Sequence, residues 1–274
     1  VSETPPSPEI DTSVPSVARA YDYFLGGKDN FEVDRAVLRQ AMEVLPEARL
    51  LAIENRHWLT RVIRFLTREA GITQFLDVGS GLPTRENTHQ VARRIERETS
   101  VVYVDNDPAC LAYGRALLEE NGLTHFVSAD LTKPDELLSN PAVRQHIDFD
   151  TPLALIQCGT IHHVPNELRP HEIMRTYIEA LPSGSYLALT HFFNPQDENG
   201  YYADLARRTE QSFHDANLGS GFWRTREEIQ SYFDGLEMVE PGLVYLHDWW
   251  PDGPRLRPVT DAEHLIVGGV GRKP

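Results

Sequence analysis

The chain is poor in cysteine, in positive charge and in long apolar runs, and each shortage removes a class of protein. Only two cysteines occur in 274 residues, Cys110 and Cys158, and they form no C-x-x-C pair. That excludes a disulfide scaffold and a cysteine-based zinc site, and it sets the expectation of a reducing, cytoplasmic compartment. Lys and Arg number 26 against 41 Asp and Glu, a formal net charge of −15. Such a surface repels nucleic acid and anionic lipid, so neither is expected as a partner. No apolar run approaches the roughly 20 residues of a membrane span. The opening "VSETPPSPEIDTSVPS" has no basic n-region and no apolar h-region, so no signal peptide is read there. Residues 1–15, rich in Pro and Ser, read as a mobile leader.

What is present suits one large α/β domain. Hydrophobic residues make up 41% of the chain, enough for a sizeable core. Helical patterning begins at Ser16, resumes over 34–45 until Pro46, and runs again from Glu47 with Leu59, Val62, Ile63 and Leu66 on one face. Gly71 closes that third segment. Short apolar runs then follow at 74–79, 100–107, 125–130, 153–159 and 185–192. Between them lie helical stretches at 86–97, 108–121, 135–145 and 170–180. Continuous apolar strands separated by helices predict a doubly wound, mostly parallel sheet covered on both faces. Two further strand-like runs, "MVEPGLVYLHDWW" and "EHLIVGGVG", predict an antiparallel pair closing the sheet edge. The expected organisation is a single domain over 16–274. It comprises a helical cap over 16–71, a core sheet over 72–194, a cap insertion over 195–233 and closing strands over 234–274.

The chemistry concentrates in "FLDVGSGLPTREN", an apolar strand ending in an acid, then a Gly-x-Gly turn. A phosphate-binding P-loop fails, because the one Gly-Lys pair, Gly27–Lys28, has Asp22 where the first glycine belongs and Asp29 where the hydroxyl belongs. A nucleophile elbow fails too, with Val78 and Leu82 at the flanking glycine positions of Ser80. The dinucleotide fingerprint comes nearer, since Gly79, Gly81 and the strand-end Asp105 match it, but Thr84 replaces its third glycine. Asp77 at the mouth of the turn would repel a diphosphate and suits a ligand carrying an ammonium and a sulfonium. The turn therefore reads best as a site for S-adenosylmethionine (SAM). In that reading Asp77, Gly79, Ser80 and Gly81 surround the methionine part, and Asp105 and Asn106 hold the ribose. Asp130 and Leu131 take the adenine, and Gln157, Cys158, Gly159 and Thr160 border the methyl group. Asp107 and Pro108 start the helix after the second strand.

The ordered set resembles the Rossmann-like, class I SAM-dependent methyltransferases. The longer motifs "SVARAYDYFLGGKDNFEVDR", "QFLDVGSGLPTRENTH", "VVYVDNDP" and "FDGLEMVEPGLV" resemble a bacterial, largely actinobacterial family of SAM methyltransferases long catalogued as a domain of unknown function. The resemblance runs from about Pro15 to the C-terminus. It implies a seven-stranded sheet, bound SAM and the product S-adenosyl-L-homocysteine, and it names no acceptor. A small molecule is the expected acceptor. Two other readings share the fold: a SAM-binding protein without turnover, and an NAD-dependent oxidoreductase.

Other residues carry two readings each. "YDYFLGGKDN" is either a lid, with Tyr21 or Tyr23 on the cofactor and Gly26–Gly27 as hinge, or an ordinary helix-ending turn. His162 and His163 follow the fourth strand, where such a sheet exposes its ligand crevice. One of them is a candidate general base, with its neighbour facing away as in an extended segment, or both are structural. His162, His163, His171 and His191 have no metal-ligand spacing, and no metal is expected. The aromatics Phe192, Phe193, Tyr201, Tyr202, Phe213, Phe222, Trp223, Trp249 and Trp250 read as helix-to-sheet packing or as a planar acceptor pocket.

Asp105 is the most exacting of these assignments. Replacing it with alanine should weaken SAM binding by about 1.5–3 kcal/mol, the scale of hydrogen bonds to a charged group. Unchanged affinity in a folded Asp105→Ala protein would remove the ribose assignment.

Overall fold

The computed structural model describes residues 10–84, 86–118, 122–216, 218 and 220–274. Three helices come first: α1 (Val17–Leu25), α2 (Glu32–Val44) and α3 (Arg49–Arg68). The alternating part follows as β1 (Gln74–Val78), α4 (Thr88–Arg93), β2 (Ser100–Asp105), α5 (Pro108–Leu118), β3 (Thr124–Ser128), α6 (Pro134–Leu138) and α7 (Pro141–His146). It continues through β4 (Ala154–Cys158), α8 (Pro170–Ala180) and β5 (Tyr186–Phe192). The chain ends with α9 (Tyr201–Asp215), α10 (Arg226–Ser231), β6 (Glu237–Met238), β7 (Val244–Tyr245) and β8 (Ile266–Arg272).

The strands form one sheet in the order β3-β2-β1-β4-β5-β8-β6, with β7 also on β8. β1 to β5 run parallel, and β8 enters antiparallel to β5, Leu189 opposite Gly269. Eight strands thus stand where seven were expected. β6 pairs with Gly271 and Arg272, and β7 with Val267 and Gly268, so the two are one edge strand interrupted over 239–243.

Strand periodicity explains why the runs are apolar throughout. Phe75, Val101, Tyr103 and Ile156 point into the core shared with α1 to α3 and α9. Their sequence neighbours Leu76, Val102, Val104 and Leu155 point into a second core with α6 to α8 and α10. Alternate residues face opposite sides of a strand, so a sheet buried twice needs no polar face. α3 is the backbone of the first core, with Trp58, Leu59, Val62, Ile63 and Leu66 buried.

Several boundaries differ from the sequence reading. The helix expected over 86–97 is confined to Thr88–Arg93, and the piece expected over 135–145 is two helices, each opened by a proline. Of the helix expected over 108–121, the last three residues lie outside the described residues. The expected mobile leader also lies outside them over 1–9. Its remainder is fastened: Ile10 packs with Leu82, Ala109 and Cys110, and the Val14 carbonyl accepts from Arg19 Nη2 at 2.5 Å. The 195–233 segment splits. α9 packs on α2 in the cap, whereas Ile229 of α10 belongs to the core on the opposite face. Among the described residues no helix is long and apolar enough to cross a membrane.

Candidate functional site

One cavity of about 580 Å³ opens at the carboxyl ends of the parallel strands. Parallel sheets expose ligand crevices there, where neighbouring crossovers leave in opposite directions. α1 and α3 roof it through Tyr21, Phe24, Leu51, Asn55 and Arg56.

The floor begins at the glycine turn after β1. Gly79 and Gly81 adopt φ of +73° and +69°, where a side chain is strained. A Cβ on Gly79 would lie 2.3 Å from Thr160 Cγ2, so only glycine lets the β1 and β4 turns close on each other. A Cβ on Gly81 would meet nothing within 4 Å, which leaves its backbone open to a ligand. Asp105 joins this turn to the next strand. Its Oδ2 accepts from the Gly81 N–H at 2.8 Å and its Oδ1 from the Asp107 N–H at 2.9 Å. Burial raises the Asp105 pKa, against these two backbone bonds. Asp107 in turn caps α5 by accepting from the Ala109 N–H at 2.7 Å, and Ser16 Oγ donates to its other oxygen.

Asp77 is buried and accepts from Thr88 Oγ1 at 2.6 Å. Burial pushes its pKa up to about 6, with the Thr88 bond and the Arg56 charge pulling the other way. Asp130 Oδ1 accepts from the Thr132 N–H and Oγ1 at 2.9 and 2.7 Å, which turns the chain so that Leu131 lines the cavity beside it. Two side-chain atoms at the Gly-x-Gly end are buried without a partner, Ser80 Oγ and Arg56 Nε. Buried polar atoms are ordinarily satisfied, so these two mark where a polar ligand group fits.

Most of the expected residues meet here: Tyr21, Asp77, Gly79, Ser80, Gly81, Asp105, Asn106, Asp130, Leu131, Cys158, Gly159, His162 and His163 all line the cavity. Three do not. Gln157 is fully buried beneath it, its Oε1 accepting from Thr160 Oγ1 at 2.5 Å. Gly26 and Gly27 lie outside the cavity lining. Gly26, at φ +80°, ends α1, its N–H bonding back to Asp22 and Tyr23 carbonyls. A Cβ on Gly27 would lie 1.9 Å from Asp22 Oδ1, whose carboxylate also gathers the Asp29 N–H and Asn30 Nδ2. The segment has the form of a helix-ending turn, held by that carboxylate. Tyr21 remains in the site as part of the helix: its hydroxyl donates to the Ala52 carbonyl and accepts from Asn55 Nδ2 at 3.0 Å.

The histidine pair also departs from expectation. His162 and His163 lie in a 3₁₀ turn rather than an extended segment, so both rings reach the cavity. His162 Nδ1 accepts from the Phe192 N–H at 3.3 Å, which puts the proton of the neutral ring on Nε2. Burial, with His163, His191 and Arg224 adding to it, lowers its pKa well below the ordinary value. A general-base role for His162 therefore does not follow from this geometry; its free nitrogen is a donor. His163 Nδ1 sits 2.9 Å from Ser220 Oγ, and burial lowers its pKa to about 4.

Asn55 and Arg56 belong to no recognised motif and were missed. A signal existed for Asn55, a polar residue in phase with the buried Leu51, Leu59 and Val62 of α3. Its Oδ1 accepts from Thr190 Oγ1 at 2.7 Å, which ties α3 to β5 at the cavity wall.

A doubly wound sheet with an antiparallel strand inserted beside β5, and with acids at the ends of β1 and β2 and just beyond β3, defines the Rossmann-like methyltransferase class. Within that class the chain belongs to the S-adenosyl methyltransferase family, whose profile matches residues 3–274. It is thus a SAM-dependent methyltransferase whose acceptor the family does not specify, and the NAD-dependent alternative is set aside. A candidate methyltransferase from Thermobifida fusca is 42% identical over 98% of each chain, with a TM-score of 0.90. A DUF574 family protein from Streptomyces avermitilis is 36% identical over 97% of this chain and 100% of its own, with a TM-score of 0.89. A SAM-dependent methyltransferase from Anabaena variabilis, 13% identical with a TM-score of 0.50 over 97% of this chain and 100% of its own, shares the fold alone. No curated protein matches the chain in sequence.

The Gly79–Thr160 approach makes a direct test. Gly79→Ala combines left-handed strain with overpacking and should cost about 2–4 kcal/mol of folding stability. Denaturant melts of Gly79→Ala alone and with Thr160→Ser should show partial recovery in the double variant, since the clashing atom is the Thr160 methyl.

Proposed function

We propose that this chain binds SAM in the half of the cavity over β3, β2 and β1 and transfers its methyl to a small molecule in the other half. One observation carries the reading: three carboxylates and two unpartnered polar atoms line that single half, in the order a zwitterion, a ribose and an adenine require. Asp77 faces the ammonium, and Arg56 with Ser80 takes the carboxylate of the methionine part. Asp105, whose oxygens accept from the Gly81 and Asp107 N–H groups, takes the ribose hydroxyls, with Asn106 beside it. Asp130 and Leu131 receive the adenine edge and face. Cys158, Gly159 and Thr160 border the methyl group.

SAM supplies a methyl already activated on a sulfonium, so the protein's task is alignment and exclusion of water. The α1 and α3 roof excludes water, and the Asn55 bonds to Tyr21 and Thr190 hold the roof on the strand ends. Both histidines at the far wall are neutral and serve as hydrogen-bonding groups. The cavity lies within the range of ~300–1,000 Å³ usual for small-ligand sites, which supports a small acceptor. Two unpaired thiols, one buried and one half-buried, support a reducing cytoplasmic setting.

Calorimetric titration should show SAM and S-adenosyl-L-homocysteine binding and NAD inert. NAD binding alone would refute the assignment, and SAM binding without turnover on any acceptor would favour the binding-protein reading. Asp77 predicts the pH response. Its carboxyl titrates near 6, and only the charged form pairs with an ammonium, so affinity for SAM should rise about tenfold from pH 5 to pH 7. The free protein responds in the opposite sense. A raised carboxyl pKa favours folding at low pH, and that contribution fades as pH climbs from 3.8 towards 6. Asp77→Asn should flatten the binding profile; a pH dependence identical to the parent's would refute the ammonium role.

A further inference from the structure

The cavity is divided chemically along the strand order. Its β3-β2-β1 half holds Asp130, Asp105, Asp77 and Arg56. Over β4, β5 and β8 the described lining carries no carboxylate, lysine or arginine, and its larger side chains include Phe24, Leu51, Phe192, Phe213 and Ile266. Arg224, a cation behind that wall, is committed elsewhere. It donates to the Val164 carbonyl at 2.6 Å, to Asn166 Oδ1 at 2.8 Å and to His191 Nε2 at 3.0 Å.

Three lining rings, His162, Phe192 and Phe213, and Trp223 behind them share an orientation, with His163 turned 63° from His162. His162 stacks on Phe192 with centroids 3.7 Å apart and planes 11° apart, and Phe192 stacks on Trp223 at 4.3 Å and 11°. Phe213 lies 23° from Phe192 and 25° from Trp223. These rings form one stack along the wall, and a flat molecule lying against it continues the stack. A charged acceptor would leave water without a counter-charge, which costs far more than burying a neutral one.

We infer that this half takes a neutral aromatic alcohol, an inference that rests on SAM occupying the other half. Transfer to its hydroxyl forms an O–CH₃ bond and breaks S–CH₃, leaving the electron pair on sulfur as a neutral thioether, with the hydroxyl proton passing to solvent water. The titratable groups on that wall are His162, His163 and Cys158; burial makes both imidazoles weak bases and raises the thiol, so none of the three takes up a proton readily. The hydroxyl must therefore give up its proton readily, as a phenol does near pH 10 and an aliphatic alcohol does not.

The test uses the full chain saturated with S-adenosyl-L-homocysteine, titrated with 2-naphthol, 2-naphthoate and 2-naphthylmethylammonium. Calorimetry and Trp223-dependent fluorescence are the readouts. The neutral probe should bind at least about tenfold tighter than either ion. Phe213→Leu, which keeps an apolar core residue while removing the ring, should weaken 2-naphthol alone and leave S-adenosyl-L-homocysteine binding unchanged. Equal or tighter binding of an ion would overturn the inference, as would a protein that binds S-adenosyl-L-homocysteine and no naphthyl probe. Failure to bind S-adenosyl-L-homocysteine at all is a separate result, and it would overturn the cofactor reading and this one with it.

Discussion

The site depends first on a single carboxylate. Asp105 ends β2, yet its two oxygens reach the glycine turn after β1 and the start of α5, holding both backbones at hydrogen-bond distance. Two loops that would otherwise move independently become one surface, and the orientation of the Gly81 and Asp107 backbones follows from it. The carboxylate is half-buried and raised in pKa, so it is held at some cost in solvation.

A second acid does for the roof what Asp105 does for the floor. Asp34, fully buried at the first turn of α2, accepts from Arg19 Nε at 2.9 Å, from the Ser16 N–H at 2.9 Å and from the Phe31 N–H at 2.8 Å. Ser16 then donates its hydroxyl to Asp107. The chain from α2 through the start of α1 to the strand ends is thus continuous in hydrogen bonds. The helical cap is not an appended layer but part of the cavity wall, and Pro15 to Ala18 line it accordingly.

Much of this was legible in the linear chain. Strand positions followed from continuous apolar runs, which only a sheet covered on both faces produces. Asp77, Gly79, Gly81, Asp105 and Asp130 were legible because strand ends and tight turns restrict residue type strongly. Asn55 and Arg56 were not, since a helix contributes to a distant site through its orientation, and one polar residue in an apolar stripe has many explanations. Gly26 and Gly27 were ambiguous for a related reason: a paired glycine serves a hinge and a helix cap equally, and the contacts around them, Arg49 at Gly26 and the Asp22 carboxylate at Gly27, come from the tertiary fold.

The two histidines mark the boundary between what each level decides. Sequence alone determined that imidazoles stand beyond the fourth strand, that three acids close the first three strand units, and that glycines shape the intervening turn. These are local consequences of period, spacing and backbone freedom. Tertiary structure decided that both imidazoles share one cavity, that burial keeps them neutral, and that the Phe192 N–H assigns the proton of His162. It also decided that the acidic and aromatic halves of the cavity lie side by side. Solvation and hydrogen-bond direction depend on elements far apart in the chain, so no reading of neighbours along the sequence could supply them.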